Sequence, residues 1–342
     1  MKILLTGGAG YIGNVLSRHL LDKGYEVIIL DRLFFGIESI KPLLGEKNFT
    51  LIIGDVRWFD PSILNGVDVV IDMAAIANDP AGELNPQYTL DINYRGRVRV
   101  AKLSKKHGVK RYIFFSTCSV YGMQEDVVDE NSRVNPLTTY AKAAAYGEKE
   151  VLELADKAFS VTVVRPATVY GYSPRLRLDL VVNTMTYTLY TRGKVMVFGG
   201  EQYRPLVHVK DMARAIELLI EYPDEERISG EVFNVGSNEQ NYRIIDLAKE
   251  VCRAVNIDPS ECIDLHPLDK DTRSYRVKFD KITNVLRFKP KYSIQDGVRE
   301  LWNVFESGNF TPSYKNWTLK RYKVLLEKYP EILGKPLYIL SL

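Results

Sequence analysis

Cysteine is scarce in this chain. Cys118, Cys252 and Cys262 are three among 342 residues, and they show neither metal-ligand spacing nor a disulfide framework. That excludes a disulfide-stapled secreted scaffold and makes a reducing cytosol, hence a cytoplasmic location, the expectation. The four histidines (His19, His107, His208 and His266) are scattered, so no metal centre is expected. Long apolar runs are missing as well. None approaches the ~20 residues needed to cross a bilayer, and Ile3-Leu4-Leu5 is too short for a signal segment. The formal net charge is only +3, which gives no basis for a nucleic-acid partner. Arg95, Arg97 and Arg99 come closest to a basic patch, but on a helix they splay around the axis and read as solvated surface.

What is present is a 46% hydrophobic composition, enough for a large core. Through about residue 170, short apolar runs alternate with helical patterns, the mark of a parallel sheet with crossover helices. Strands are expected at 2–6, 26–30, 50–53, 67–72, 111–116 and 161–165, and helices at 13–23, 86–107 and 140–157. Several of the strands are apolar throughout, as strands buried on both faces should be. Beyond Gly171 the regularity breaks, with helices expected at 180–191, 211–221 and 244–255 and strands at 195–198 and 232–235. The expected fold is α/β: a Rossmann doubly wound parallel sheet over 1–171, with returns near 205–240. A smaller, mixed and discontinuous substrate lobe spans 172–310, and the extension 311–342 has no assigned role.

Gly7, Gly10 and Gly13 follow the first strand and open the first helix as GxxGxxG. The first glycine allows a tight turn, and the second lets backbone approach a pyrophosphate. The third permits close helix–strand packing, and the helix N-terminus faces the phosphates. Asp31 closes the second strand, where a carboxylate accepts hydrogen bonds from a ribose 2′-hydroxyl and repels a 2′-phosphate. The expected cofactor is therefore NAD rather than NADP. Arg32, next to it, softens that preference, and Asp55 ends the third strand where the adenine should lie.

Further motifs fall in order along the chain: Met73-Ala74-Ala75, Asn93, Ser116-Thr117-Cys118-Ser119-Val120-Tyr121-Gly122, Tyr140, and Arg165-Pro166-Ala167-Thr168-Val169-Tyr170-Gly171. With the glycine loop they resemble the extended short-chain dehydrogenase/reductases of the nucleotide-sugar epimerase/dehydratase type, over Met1 to about Pro290. The resemblance implies cofactor contacts at Tyr11, Ile12, Val56, Ala74, Ala75, Asn93, Ser116, Tyr140, Pro166 and Thr168. It implies Thr117 and Tyr140 as the hydroxyl and phenol flanking the reacting sugar carbon. It also implies a homodimer paired through the helices at 86–107 and 140–157.

One element of that pattern is missing. The family places a lysine four residues after the tyrosine, where it favours the phenolate and holds the nicotinamide ribose. Here that position is Ala144. Lys142 is no substitute, because a plus-two position points almost to the opposite face of a helix. Three readings stay open: a variant whose lysine was replaced, a natural member with a weaker base, or a binding protein without turnover. The first is preferred, since the other motif residues are in place.

Arg204 and Arg273 resemble the family's arginines for a substrate diphosphate, and planar guanidinium forks suit that group. In Ser173–Asn183, Arg175 is expected near sugar or phosphate and Asn183 near the diphosphate. His208 reads as a core or supporting residue, and Cys118 as a small buried one rather than a nucleophile. Cys118 and Ser119 stand where the family's dehydratases and decarboxylases carry carboxylic acids. The resemblance then leaves 4-epimerisation of a nucleotide-diphosphate sugar, with 4-dehydrogenation as the alternative.

Overall fold

The computed structural model describes residues 1–267 and 273–334. Seven parallel strands form one sheet: β1 (Lys2–Thr6), β2 (Glu26–Asp31), β3 (Phe49–Ile53), β4 (Val69–Asp72), β5 (Arg111–Phe115), β6 (Ser160–Pro166) and β7 (Glu231–Val235). Their spatial order is β7-β6-β5-β4-β1-β2-β3, so the chain runs outward from β1 to one edge and then crosses to the other side. The reversal beside β1 opens a crevice at the carboxyl ends of the strands, where such sheets bind ligands. Every residue of β5 and β6 is buried, as expected for strands covered on both faces by helices. The strands expected for the sheet all form, and Glu231–Val235 returns to it after the irregular region. Three small sheets, including Val195–Phe198 paired with Ile263–His266, build the mixed part beyond it.

Two helices differ from expectation. Residues 86–107 do not form one uniform helix. Pro86–Leu90 and Arg97–Lys106 flank a π-helical turn over Asp91–Gly96, which carries Asn93. The helix α2 (Thr139–Leu152) stops before Lys157. There the Asp156 carboxylate accepts from the backbone N–H of Ala158 (2.8 Å) and Phe159 (2.9 Å), an Asx turn that competes with further helix.

Two corrections concern particular side chains. Cys252 and Cys262 are joined by a disulfide, contrary to the reading of the cysteines, which therefore no longer supports a reducing compartment. Asn256, in the left-handed region at φ 60°, turns the chain after Ile244–Ala254 so that Cys262 comes back beside the helix. Arg97 is buried, with Nε 3.0 Å from Asp72 Oδ2 and Nη2 2.8 Å from the Phe115 carbonyl. Its guanidinium lies 3.9 Å over the Phe114 ring. Positions two apart differ by ~200° around a helix, so Arg97 faces the sheet while Arg95 stays exposed. Among the described residues, no helix is long and apolar enough to cross a membrane.

Candidate active site

A single cavity of about 1310 Å³ runs from the glycine loop to the mixed region. At its first end, Gly7 has φ 69° and lies so close to the next strand's loop that a Cβ would sit 2.8 Å from Ala74 Cα. A Cβ at Gly13 would lie 2.6 Å from Gly8 Cα. The helix α1 (Tyr11–Asp22) begins at Gly10 with no side-chain cap. Its first-turn N–H groups and the positive end of its dipole are left for an anion. This open cradle fits the diphosphate of a dinucleotide.

Asp31 lines the same end, where its oxygens accept from Ala9 N (3.0 Å) and Leu33 N (2.8 Å). Burial pushes its carboxyl upward against these N–H groups. Asp55 is clasped by two arginines, Arg57 (Nη2 2.8 Å) and Arg32 (Nη1 3.0 Å). Arg32 also donates to the Ile332 carbonyl at 3.2 Å. Its guanidinium therefore braces Asp55 and the C-terminal segment. Val56, Ile12, Ala75, Pro166 and Thr168 line the cavity.

The middle of the cavity is held by buried polar links. Thr6 Oγ1 donates to Asp72 and accepts from Met73 N and Ala74 N, each at 3.1 Å. That fixes the loop after β4. Asn93 ties the same loop down through Ile76 N (2.8 Å) and Ile76 O (3.1 Å). Ser116 donates to Glu148, which Arg165 grips at 2.9 and 2.7 Å. Asn93 and Ser116 both line the cavity, but their polar side-chain atoms are spent on holding its wall.

Thr117 and Tyr140 both line the cavity here. Thr117 follows β5 and caps the short turn over Cys118–Tyr121, and Tyr140 lies in the first turn of α2, whose cap Thr138 accepts from Ala141 N at 3.2 Å. Burial raises the Tyr140 phenol, and the Asp79 carboxylate raises it further. Arg177, the Thr117 hydroxyl and Arg97 pull the other way without prevailing. Ala144 sits one turn along, buried at the cavity wall, while Lys142 is exposed on the far side. No lysine of α2 thus reaches the tyrosine. Cys118 is fully buried with Sγ 3.2 Å from the Arg165 carbonyl, and burial pushes its thiol up. His208 is buried between Glu300 (3.1 Å) and Lys210 N (3.2 Å).

Arg204 and Arg273 line the other end. Arg204 donates to the carbonyls of Tyr203 (2.9 Å) and Arg273, and Arg273 pairs with Asp79. Asp271 and Thr272, quoted with Arg273, lie outside the described residues. Two expected substrate residues sit elsewhere. Asn183 is fully buried away from the cavity, its amide engaged by Gly171 N (3.0 Å) and the Arg177 carbonyl (2.9 Å). An amide can brace a loop as readily as it contacts a phosphate, and here it braces the loop. Arg175 lies toward Asp31 and the Phe35 ring, at the dinucleotide end rather than beside Arg204.

Sequence reasoning missed Asp79, Arg177 and the aromatic wall of Phe35, Trp317 and Tyr322, all of which line the cavity. The alternation Arg175-x-Arg177-x-Asp179 was the available signal for Arg177. Nothing local marked the others.

Comparison with known proteins agrees with this geometry. The sequence profile of the NAD dependent epimerase/dehydratase family matches residues 3–236. An uncharacterized UDP-glucose epimerase of Bacillus subtilis, YtcB, is 30% identical over 316 residues, covering 87% of this chain and 96% of that protein. A UDP-glucose 4-epimerase of Halalkalibacterium halodurans is 29% identical over 330 residues, covering 89% and 95% respectively. The crystal structure of a UDP-glucuronic acid 4-epimerase from Bacillus cereus, in complex with UDP-glucuronic acid and NAD, superposes with a TM-score of 0.77 at 24% identity. It covers 90% of this chain and 99% of that one, and shows the shared fold. NAD is the cofactor that the first end of the cavity accommodates, and the chain belongs to the NAD dependent epimerase/dehydratase family.

Proposed function

We propose that this protein is a nucleotide-sugar 4-epimerase acting on a nucleoside-diphosphate hexose. The observation that carries the reading is the Thr117–Tyr140 pair. It stands midway along one continuous cavity, between the glycine cradle and the two arginines Arg204 and Arg273. The relatives' names favour a UDP-sugar.

Bound NAD supplies hydride uptake and return at the sugar carbon. The chain's own residues handle the rest. Arg204 and Arg273 orient the substrate diphosphate through guanidinium forks. Tyr140, as phenolate, takes the C4 hydroxyl proton while Thr117 holds the oxygen. After the keto sugar turns over and presents its other face at C4, the same phenol returns the proton to the C4 oxygen.

Dehydration and decarboxylation need a carboxyl group free to act at the sugar. Cys118 and Ser119 occupy the relevant positions. The two nearby carboxylates are engaged: Asp79 by Arg273 and Thr138, and Asp179 by Arg177 at 3.0 Å and Asn78 at 2.7 Å.

Incubation with UDP-, GDP-, CDP- and dTDP-hexoses, with NMR assignment of C4 in the products, tests the reading. A C4 epimer is expected. Accumulated 4-keto sugar assigns dehydrogenation instead, and no change with any sugar rejects turnover. Tyr140→Phe should lower the rate about 10²–10⁴-fold while leaving NADH affinity within a factor of ~3; equal rates would remove Tyr140 from the chemistry.

The proposed enzyme is a homodimer, pairing through α2 and the helices over residues 86–106. Tyr146, half exposed beside Tyr94, would lie on that face. Light scattering should report twice the chain mass, and Tyr146→Lys should halve it. A single-chain mass for the unaltered protein rejects the dimer.

A further inference from the structure

The substrate and proton chemistry leave one buried cation unused. Arg175 is 7% exposed, and its Nε and Nη1 have no hydrogen-bond partner among the described residues. Its guanidinium is stacked 3.6 Å over the Phe35 ring and borders the cavity. Two carboxylates face it, and both are committed elsewhere: Asp31 to Ala9 N and Leu33 N, and Asp179 to Arg177 and Asn78. Arg177 and the Tyr322 ring complete its surroundings. Burial, with Arg177 beside it, pulls the guanidinium down. A buried guanidinium with unanswered N–H groups is costly, so an acceptor from outside the chain would complete the site.

The segment beyond residue 311 supplies the opposite wall. The helix α3 (Thr318–Lys328) lays Tyr322 edge-on against Phe34 and Phe35, with ring centroids 5.9 and 5.6 Å apart. Asn316 grips the Arg175 loop on both sides, donating to the Leu176 carbonyl and accepting from Leu178 N, each at 2.9 Å. Thr318 N reaches Asp179 at 3.3 Å. Trp317, Thr318 and Tyr322 line the cavity there. The loop and the C-terminal helix are therefore one tied unit, facing the glycine cradle.

We propose that Arg175 and the C-terminal helix form a clamp on the dinucleotide, in which Arg175 donates to its diphosphate and Tyr322 closes the adenosine end, making bound NAD slow to exchange. The clamp rests on NAD being the cofactor of this cavity and gives residues 311–334 of the C-terminal extension a role. The same phosphoryl chemistry is offered by the 2′-phosphate of NADP and by the substrate diphosphate, so the test must separate the three.

NADH release from the loaded protein is followed by loss of its fluorescence during a chase with excess NAD+, alongside equilibrium titrations of NADH, NADPH, ADP-ribose and UDP. Arg175→Met should speed NADH release and weaken NADH and ADP-ribose about ten- to a hundredfold, as for loss of hydrogen bonds to a charged group, with UDP unchanged. Tyr322→Leu should speed release several-fold with the diphosphate contacts intact. It serves as the second arm, together with Arg175→Lys, if Arg175→Met does not fold. An unchanged release rate in the folded variants overturns the clamp. So does a loss confined to UDP, which assigns Arg175 to substrate, or one confined to NADPH, which assigns it to a 2′-phosphate. If the unaltered protein holds no NADH at all, the cofactor reading fails rather than the clamp.

Discussion

Ala144→Lys is expected to raise kcat on the accepted nucleotide sugar by about 10²–10⁴-fold, the usual range for a well-tuned general base. A tyrosine titrates near ~10 in water, and here burial and Asp79 raise Tyr140 further. At pH 7 fewer than ~1 in 10³ molecules then carries the phenolate. The base is active only when deprotonated, so kcat should climb about tenfold per pH unit through neutrality and level off only above the raised phenol value. A lysine one turn along α2 adds an ammonium beside the phenol. This favours the phenolate and moves the whole rising limb to lower pH. Because Ala144 borders the cavity, the longer side chain extends into open space. Profiles of kcat from about pH 6 to 10 for both proteins decide the matter. Superimposable profiles would show that the missing lysine is not what limits this chain.

Asp72→Asn should cost about 3–5 kcal/mol, the scale for breaking a buried ion pair from one side. Asp72 is fully buried under the carboxyl end of β4. It pairs with Arg97 at 3.0 Å and accepts from Tyr112 at 2.6 Å and from Thr6. Neutralising it strands the Arg97 guanidinium without its counter-charge. Arg97 also donates to the Asp72 and Phe115 carbonyls, so the strands on either side lose their brace. Thermal unfolding should shift down on the order of 10 °C, whereas Arg95→Ala on the exposed face should leave it unchanged. A shift below about 2 °C for Asp72→Asn would mean that the network is relaxed by water or rearrangement.

The sheet was legible because its strands carry their own signature. Ile3 to Leu5, Val69 to Ile71 and Tyr112 to Phe114 are buried runs, and burial on both faces leaves no polar alternation. The glycine cradle was legible because a left-handed turn and a close helix–strand approach leave few alternatives to glycine. What was not legible depends on partners remote in sequence. Arg97 looked like surface until Asp72 and Phe115 stood beside it. Asn183 looked like a ligand because nothing local shows that its amide would be consumed by Gly171, Tyr11 and Arg177. The Arg175 loop was placed with the substrate because its closeness to Phe35 and Asn316 is set by packing across 140 residues. The disulfide was not legible because spacing alone does not reveal the left-handed turn at Asn256 that lies between Cys252 and Cys262.

The hydrogen bond from Arg32 to the Ile332 carbonyl joins residues 300 apart, which gives the cleft a birth order. A ribosome adding roughly 5–20 residues per second delivers the glycine loop on the order of 15–60 s before the wall that faces it. Until then the Arg32 side of the cleft lacks the segment it is bonded to. On the proposed clamp, capture of the cofactor waits for the helix that starts at Thr318, and a chain arrested before it should exchange NADH faster than one that carries it.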